Sequence, residues 1–355
     1  MGMKTPSIDL AALEPPPAVA AIRRINDGFK NFQALRAGYA SGLFDWLAQH
    51  GLAEKSAIAD ALKLRGAHLG AYLQTLEDLG LLARENGAYR LTPGAADALC
   101  AVSPWCQSAA SDILLSPSCG WSDVARFLAE GWVPTAAPAP SIALHPFLGE
   151  ARRLAAALAE RGTIAGARTL LCFDGSDGLL TAALCQRHPQ LHATVTVMPE
   201  ARVRTETILA DCGLDERCRV VAGSPLDPPP RETCKGFDYV VLFHSLYPVR
   251  KQVVDALVAA TGCLSRGGEL CSAHWFCLEA CETAPGGLRD LDKAVLTDSH
   301  PLCHVETFGE RVVAAGLGDE GREDIDGPCG HLKLHFASRA LNPVVVSPYL
   351  RCSRC

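Results

Sequence analysis

Positive charge is not in excess in this chain. Its 33 lysines and arginines stand against 39 aspartates and glutamates, a formal net charge of −6. A protein built around nucleic acid needs the opposite balance, because phosphate contacts draw on lysine and arginine. Long apolar runs are missing as well. No segment reaches the roughly eighteen unbroken apolar residues of a membrane span, so a membrane is not expected as a partner. The opening stretch, MGMKTPSIDLAALEPPPAVAA, lacks the compact apolar core of a secretory signal and carries a proline cluster instead. Residues 1–27 read as a loose arm on a cytoplasmic protein. Aromatic residues are scarce at 6%, which leaves alanine and leucine to fill the interior.

What is present is enough for a large core. The 355 residues, 48% of them hydrophobic, suggest two domains or one large one that fold without staples. Sixteen cysteines are many. They are scattered rather than framed, in a long chain without a signal segment, so a disulfide scaffold is not expected. Most read as buried thiols that fill space, Cys172 among them.

Residues 28–50 carry apolar positions at helical spacing (Phe29, Phe32, Leu35, Tyr39, Leu43, Phe44, Leu47), with Gly51 as the stop. A short helix over 56–64 is expected behind Ser56 as cap, and a third over 67–82. ARENGAYRLT follows, with Asn86-Gly87 as a hairpin turn between two short strands. Three helices and a hairpin outline a winged helix over 28–115. Such a module binds DNA or serves in packing and dimerisation. The third helix carries Glu77 and Asp78 and little positive charge beyond Arg65 before it, so nucleic acid is the disfavoured partner. Residues 116–165 read as an irregular linker, with PTAAPAPS as a surface loop, ending in a helix over 147–161 that should bridge two domains.

From 166 to 340 strands and helices alternate. Strands are expected at 168–173, 193–198, 218–222, 237–243, 268–275 and 331–337, with helices at 178–188, 200–212, 250–264 and 304–315. The alternation predicts a doubly wound α/β sheet, whose ligands bind beyond the carboxyl ends of the strands. The organising stretch is TLLCFDGSDGLL, residues 169–180. It reads as a buried strand, a tight glycine turn and a helix start. Glycines let backbone amides approach a ligand there, and a helix N-terminus favours a negative group, so a nucleotide-like cofactor is the expected guest.

The stretches GLFDWLA and LQTLEDLGLLARENGAYRLTP resemble the N-terminal dimerisation domain of the S-adenosylmethionine-dependent O-methyltransferases related to acetylserotonin and caffeate methyltransferases. The α/β half stands where their Rossmann-like catalytic domain would. The resemblance spans residues 28 to 340. It implies a homodimer, S-adenosylmethionine as cofactor, and methyl transfer to a small hydroxyl- or thiol-bearing substrate. The motifs depart from the family pattern. Cys172 takes the place of the acid in the first strand and Asp174 that of the first glycine, while Gly175 and Gly178 keep the turn. Asp174 or Asp177 could hold the cofactor's ammonium; the other reading of Asp177 is a helix cap. Val197 replaces the acid that takes the ribose hydroxyls, with Glu200 three residues on. Ser224 follows Gly223 near the adenine, and Phe243 ends the fourth strand. Tyr247 stands at the place of the catalytic histidine, and tyrosine is a poor base at neutral pH. His244, three residues earlier, titrates in the useful range, or is a satisfied structural histidine. A thiol acceptor would relax the need for a base, since it ionises in part by itself.

Cysteine and histidine also crowd the C-terminal half: Cys271, His274, Cys277, Cys281, then His300, Cys303, His304, Cys329 and His331. The tail 341–355 ends in a CxxC, Cys352 to Cys355. Thiolate and imidazole suit zinc or iron, yet no two CxxC pairs stand at zinc-ribbon spacing. No metal ligand set is therefore assigned. The alternative function is a methyltransferase fold that has lost methyl transfer and binds a metal or other cofactor through this half. A third is DNA-binding regulation through the winged helix.

Overall fold

The computed structural model describes residues 14–130, 141–229, 236–276, 287–297, 302, 305–327 and 330–339. The chain divides into two compact units between Ile113 and Leu114. Among the described residues no helix is long and apolar enough to cross a membrane.

The first unit opens with α1 (Ala18–Ala40) and α2 (Leu43–His50). The continuous helix expected over 28–50 is broken at Gly42, which sits at φ +70°. The break folds α2 back, so that a Cβ on Gly38 would lie 2.3 Å from the Phe44 ring. β1 (Ala53–Glu54), α3 (Lys55–Leu62), α4 (Gly66–Asp78), β2 (Leu82–Glu85) and β3 (Ala88–Leu91) follow. Ser56 lies inside α3 rather than capping it; Glu54 precedes the helix and makes no side-chain cap. The β2–β3 hairpin turns at Asn86 and Gly87, both at positive φ, as a two-residue turn requires. Leu43, Phe44, Leu47, Ile58, Leu69, Leu73 and Leu76 form this unit's core. α5 (Ala95–Leu99) and α6 (Ser108–Ile113) close it.

The second unit begins irregularly, with α7 (Val124–Glu130), and then α8 (Leu148–Arg161). Its centre is a seven-stranded sheet, order β6-β5-β4-β7-β8-β10-β9. The strands are β4 (Thr169–Asp174), β5 (His192–Val197), β6 (Cys218–Ala222), β7 (Phe237–Phe243), β8 (Leu264–His274), β9 (Leu317–Gly327) and β10 (Gly330–Arg339). β6 through β8 run parallel, and β10 is antiparallel to both β8 and β9. The helices between are α9 (Leu179–Arg187), α10 (Arg202–Asp211), α11 (Val253–Gly262), α12 (Gly287–Thr297) and α13 (Val305–Ala314). β4 and β7 are buried along nearly their whole length, the near-continuous apolar pattern of a covered parallel sheet. The chain runs outward from β4 through β5 to β6, then returns to β7 on β4's other side. That reversal opens a crevice at the carboxyl end of β4.

Candidate active site

Asp174 is the last residue of β4, in register with Phe243 on β7. Its carboxylate turns back into the protein. One oxygen accepts from the Ser176 amide at 2.9 Å and from the Ser176 hydroxyl; the other accepts from the Thr181 amide at 3.0 Å and the Thr181 hydroxyl at 2.9 Å. The Ser176 hydroxyl oxygen accepts from Leu180 N at 3.2 Å, and Ser176 O accepts from Leu179 N at 3.1 Å. The first amides of α9 are thus satisfied from within the turn. The expected backbone cradle for a negative group is filled by the chain's own acid, and Asp174 has no oxygen left over for a ligand's ammonium.

The glycines are explained by packing as well. A Cβ on Gly175 would lie 2.7 Å from His244 O and 2.9 Å from Phe243 O, so β7's backbone needs that space. Gly178 sits at φ +88°, where a Cβ would meet Thr205 of α10 at 2.9 Å. Asp177, at φ +56°, does not cap α9. It takes a two-pronged contact from Arg204 Nε and Nη2, at 2.5 and 2.7 Å, and a hydrogen bond from His145 Nε2 at 3.2 Å. His145 Nδ1 accepts from the Phe147 amide, which leaves Nε2–H as the donor. Burial alone would raise the Asp177 carboxyl, but His145 and Arg204 hold it below the ordinary value.

The crevice itself is narrow, with a volume of about 90 Å³. Phe173, Asp174 and Gly175 form one wall, Thr196 to Met198 and Gly223 to Pro225 another, and His244, Ser245, Pro248 and Val249 a third. Of the residues singled out in the sequence, Asp174, Gly175, Ser224 and His244 are brought together here. Glu200 is exposed on a short 3-10 turn, Pro199–Ala201, and is not part of the wall. Phe243 is fully buried and packs edge-on against Phe147 instead. Gly178 and Tyr247 do not reach the crevice. The sequence reading missed Thr196 and Ser245. Both hydroxyl oxygens are buried without a hydrogen-bond partner, and both residues line the crevice. Thr196, a buried threonine in the strand HATVTV, was the available signal for the first of them.

His244 and Tyr247 lie at the end of β7, in a closed chain of hydrogen bonds. The Trp275 amide donates to the Tyr247 hydroxyl at 2.9 Å, and that hydroxyl donates to His244 Nδ1 at 2.7 Å. His244 Nε2–H then donates to Glu150 Oε2 at 2.7 Å, and Trp275 Nε1–H to Glu150 Oε1 at 3.2 Å. Glu150 and His244 are 1% and 6% exposed, and the Phe147 ring stacks on the imidazole at 4.4 Å. Burial pushes the Tyr247 hydroxyl well up, so it stays a donor. Both imidazole nitrogens are therefore occupied in this arrangement, and neither side chain is a free base. His244 also sits at φ +49°, a conformation that costs about 1–3 kcal/mol and that these contacts hold in place. His274 supports the same corner. Burial, with His244 next in effect, drives its pKa well down and keeps it neutral. Its Nε2 accepts the Ser245 and Leu246 amides at 3.1 Å each, and its Nδ1–H donates to Ser272 Oγ at 3.0 Å.

The cysteine and histidine crowd does not assemble where it is described. Cys271 and His274 are three apart on β8, so they point to opposite faces. Burial keeps the Cys271 thiol protonated. Among the described residues no group of three or more histidines, cysteines or acids could hold a metal. Cys277, Cys281, His300, Cys303, His304, Cys329 and the pair Cys352 and Cys355 lie outside the described residues.

No protein-family model and no curated protein matches the sequence. Solved structures do match. An O-methyltransferase family protein from Burkholderia thailandensis is 21% identical, with 93% of this chain and 99% of that one covered at a TM-score of 0.74. The chain has the O-methyltransferase fold. Mitomycin 7-O-methyltransferase follows at 20% identity, 91% and 99% coverage and a TM-score of 0.66. Human N-acetylserotonin methyltransferase, solved with S-adenosylmethionine, is 20% identical over 91% of this chain and 98% of that one, with a TM-score of 0.61. The crevice lies beside β4 at the switch point of the sheet, and Thr196 and Ser245, whose hydroxyls are buried without a hydrogen-bond partner, belong to its wall.

Proposed function

We propose that the chain binds S-adenosylmethionine in the crevice beside β4 and passes its methyl group to a small acceptor. The observation that carries this is the pair of unpaired buried hydroxyls, Thr196 and Ser245, in the crevice wall at the switch point. A buried hydroxyl without a partner costs about 1–3 kcal/mol, a cost that a polar ligand removes. The nucleoside half of the cofactor suits them, since ribose and adenine both donate and accept. The amino-acid half finds no free acid at Asp174 or Asp177 and needs other partners. A small-molecule site typically holds about 300 Å³ or more, so the wall formed by Pro225 and by Pro248 of the 3-10 helix Tyr247–Gln252 must move on binding.

Bound there, the cofactor supplies an electrophilic methyl group on a sulfonium sulfur. The chain contributes position and exclusion of water. Because His244 and Tyr247 are tied into the Glu150 network, the acceptor brings its own nucleophile. A thiol, partly ionised near neutral pH, fits that demand better than an alcohol. The reading includes a homodimer, assembled through the first unit as a winged-helix module, in the cytoplasm. Its α4 carries no lysine or arginine for phosphate contacts, which supports a small molecule over nucleic acid as the partner.

Calorimetry with S-adenosylmethionine and its demethylated product tests the proposal. Heat is expected from both, reduced for Thr196→Val. Folded protein that gives no heat with either ligand overturns it. Sedimentation of the full chain reads the dimer separately.

A further inference from the structure

A second site lies at the opposite ends of the strands. Thr169, His192, Cys218 and Phe237, the first residues of β4 to β7, border an open basin of about 710 Å³. Cys218, 8% exposed, forms part of its wall. Behind it, on α9, is the fully buried Cys185, and the two sulfurs are 3.7 Å apart in a thiol–thiol hydrogen bond. Arg217 pins this corner. Its Nη1 donates to Cys185 O at 3.0 Å and Pro189 O at 3.1 Å, so a fixed positive charge sits beside the sulfurs. Asp215 and Glu216 also border the basin and oppose that charge in part.

We propose that Cys185 and Cys218 are a redox-modification site, a dithiol that hydrogen peroxide converts to a disulfide, with Cys218 attacking and Cys185 resolving. Position assigns the roles: only Cys218 faces the basin. The chemistry agrees. The Cys185 hydrogen bond and Arg217 favour the Cys218 thiolate against burial, while its bonded neighbour and burial disfavour the Cys185 thiolate. In the first step the Cys218 sulfur bonds to one peroxide oxygen, the O–O bond breaks, and the second oxygen leaves as water with the thiol's proton. In the next, the Cys185 sulfur bonds to the Cys218 sulfur, and the sulfenic hydroxyl leaves as water with the Cys185 proton. Two thiols lose two electrons, and peroxide becomes two waters. The sulfurs must close from 3.7 Å to about 2.05 Å for the bond to form. The bridge would tie α9, which starts at the turn after β4, to β6, which leads into Gly223 and Ser224. These are supports of facing crevice walls.

The test is peptide mapping of the reduced full-length protein after hydrogen peroxide, with remaining thiols alkylated. A Cys185–Cys218 bridge that forms ahead of other bridges and is reversed by dithiothreitol is expected. Dimedone should trap sulfenic acid on Cys218 in Cys185→Ser, and none on Cys185 in Cys218→Ser. Cys185 and Cys218 both remaining alkylatable while other cysteines oxidise would overturn the proposal. So would a Cys212–Cys218 bridge in its place. The wild-type mapping needs no variant to fold and makes no use of methyl transfer.

Discussion

Asp174→Ala separates two roles for the acid at the end of β4. If it held a ligand, its loss would cost affinity and leave the ligand-free fold intact. The structure gives it inward work instead. Removing the carboxylate leaves the Ser176 and Thr181 amides without acceptors in a buried turn. Each orphaned amide costs about 1–3 kcal/mol. The two hydroxyls can rotate to other acceptors and are counted as neutral, which puts the loss near 4 kcal/mol. For a unit of this size each kcal/mol moves the midpoint by about 2–4 °C, so a fall of roughly 8–16 °C is expected without any ligand. Asp174→Asn keeps one accepting oxygen and turns its amide toward the other pair of donors, so it should lose about half as much or somewhat more. Calorimetric melting of both variants, with exposed Glu216→Gln as the control, provides the readout. A midpoint within about 2 °C of wild type, together with lost binding of S-adenosylmethionine, would refute the structural role and return Asp174 to the ligand.

Other expectations follow from the same geometry. Thr196→Val removes an unpaired hydroxyl, so the ligand-free protein should be as stable as wild type or more so, while affinity for S-adenosylmethionine falls about two- to tenfold in titration calorimetry. Gly175→Ala forces a Cβ against the carbonyls of Phe243 and His244 and should cost about 1–3 kcal/mol in urea unfolding. His335 packs between Phe276 and Phe308, and burial, aided by Arg322, lowers its pKa to about 4. An unfolded histidine titrates near 6.5. The unfolded chain therefore binds the extra proton first, and the stability carried by neutral His335 is complete above pH 6.5 and lost as pH falls toward 4. About 3 kcal/mol is at stake; His335→Phe should flatten that window, and imidazole chemical shifts would locate the pKa.

The regular elements near the site were legible because their signals are local. β4, β7 and the turn between β4 and α9 announce themselves by a short apolar run followed by glycines. The Asn86-Gly87 hairpin is dictated by two residues that tolerate positive φ. β9 was not legible. Its sequence, LGDEGREDIDG, is mostly exposed on the outer edge of the sheet, with only Leu317 buried, so there is no continuous buried face to produce alternation. It is a strand because β10 offers it a ladder. The break at Gly42 was hidden by apolar spacing that continued through it.

The roles of the site residues belong to another level. The sequence showed a glycine turn joining β4 to α9, and the family resemblance pointed to Asp174, Asp177, His244 and Tyr247 as candidates near the strand ends. Which way each side chain points was decided by partners far along the chain: Glu150 is 94 positions from His244, Arg204 is 27 from Asp177, and Cys218 is 33 from Cys185. A hydrogen-bonding group takes whichever partner the packed fold brings within about 3 Å, and sequence spacing carries no information about that distance once the two lie on different elements. Most strands, helices and turns were set locally; their order in the sheet and the use of its acids, imidazoles and thiols were settled only when the layers closed on one another.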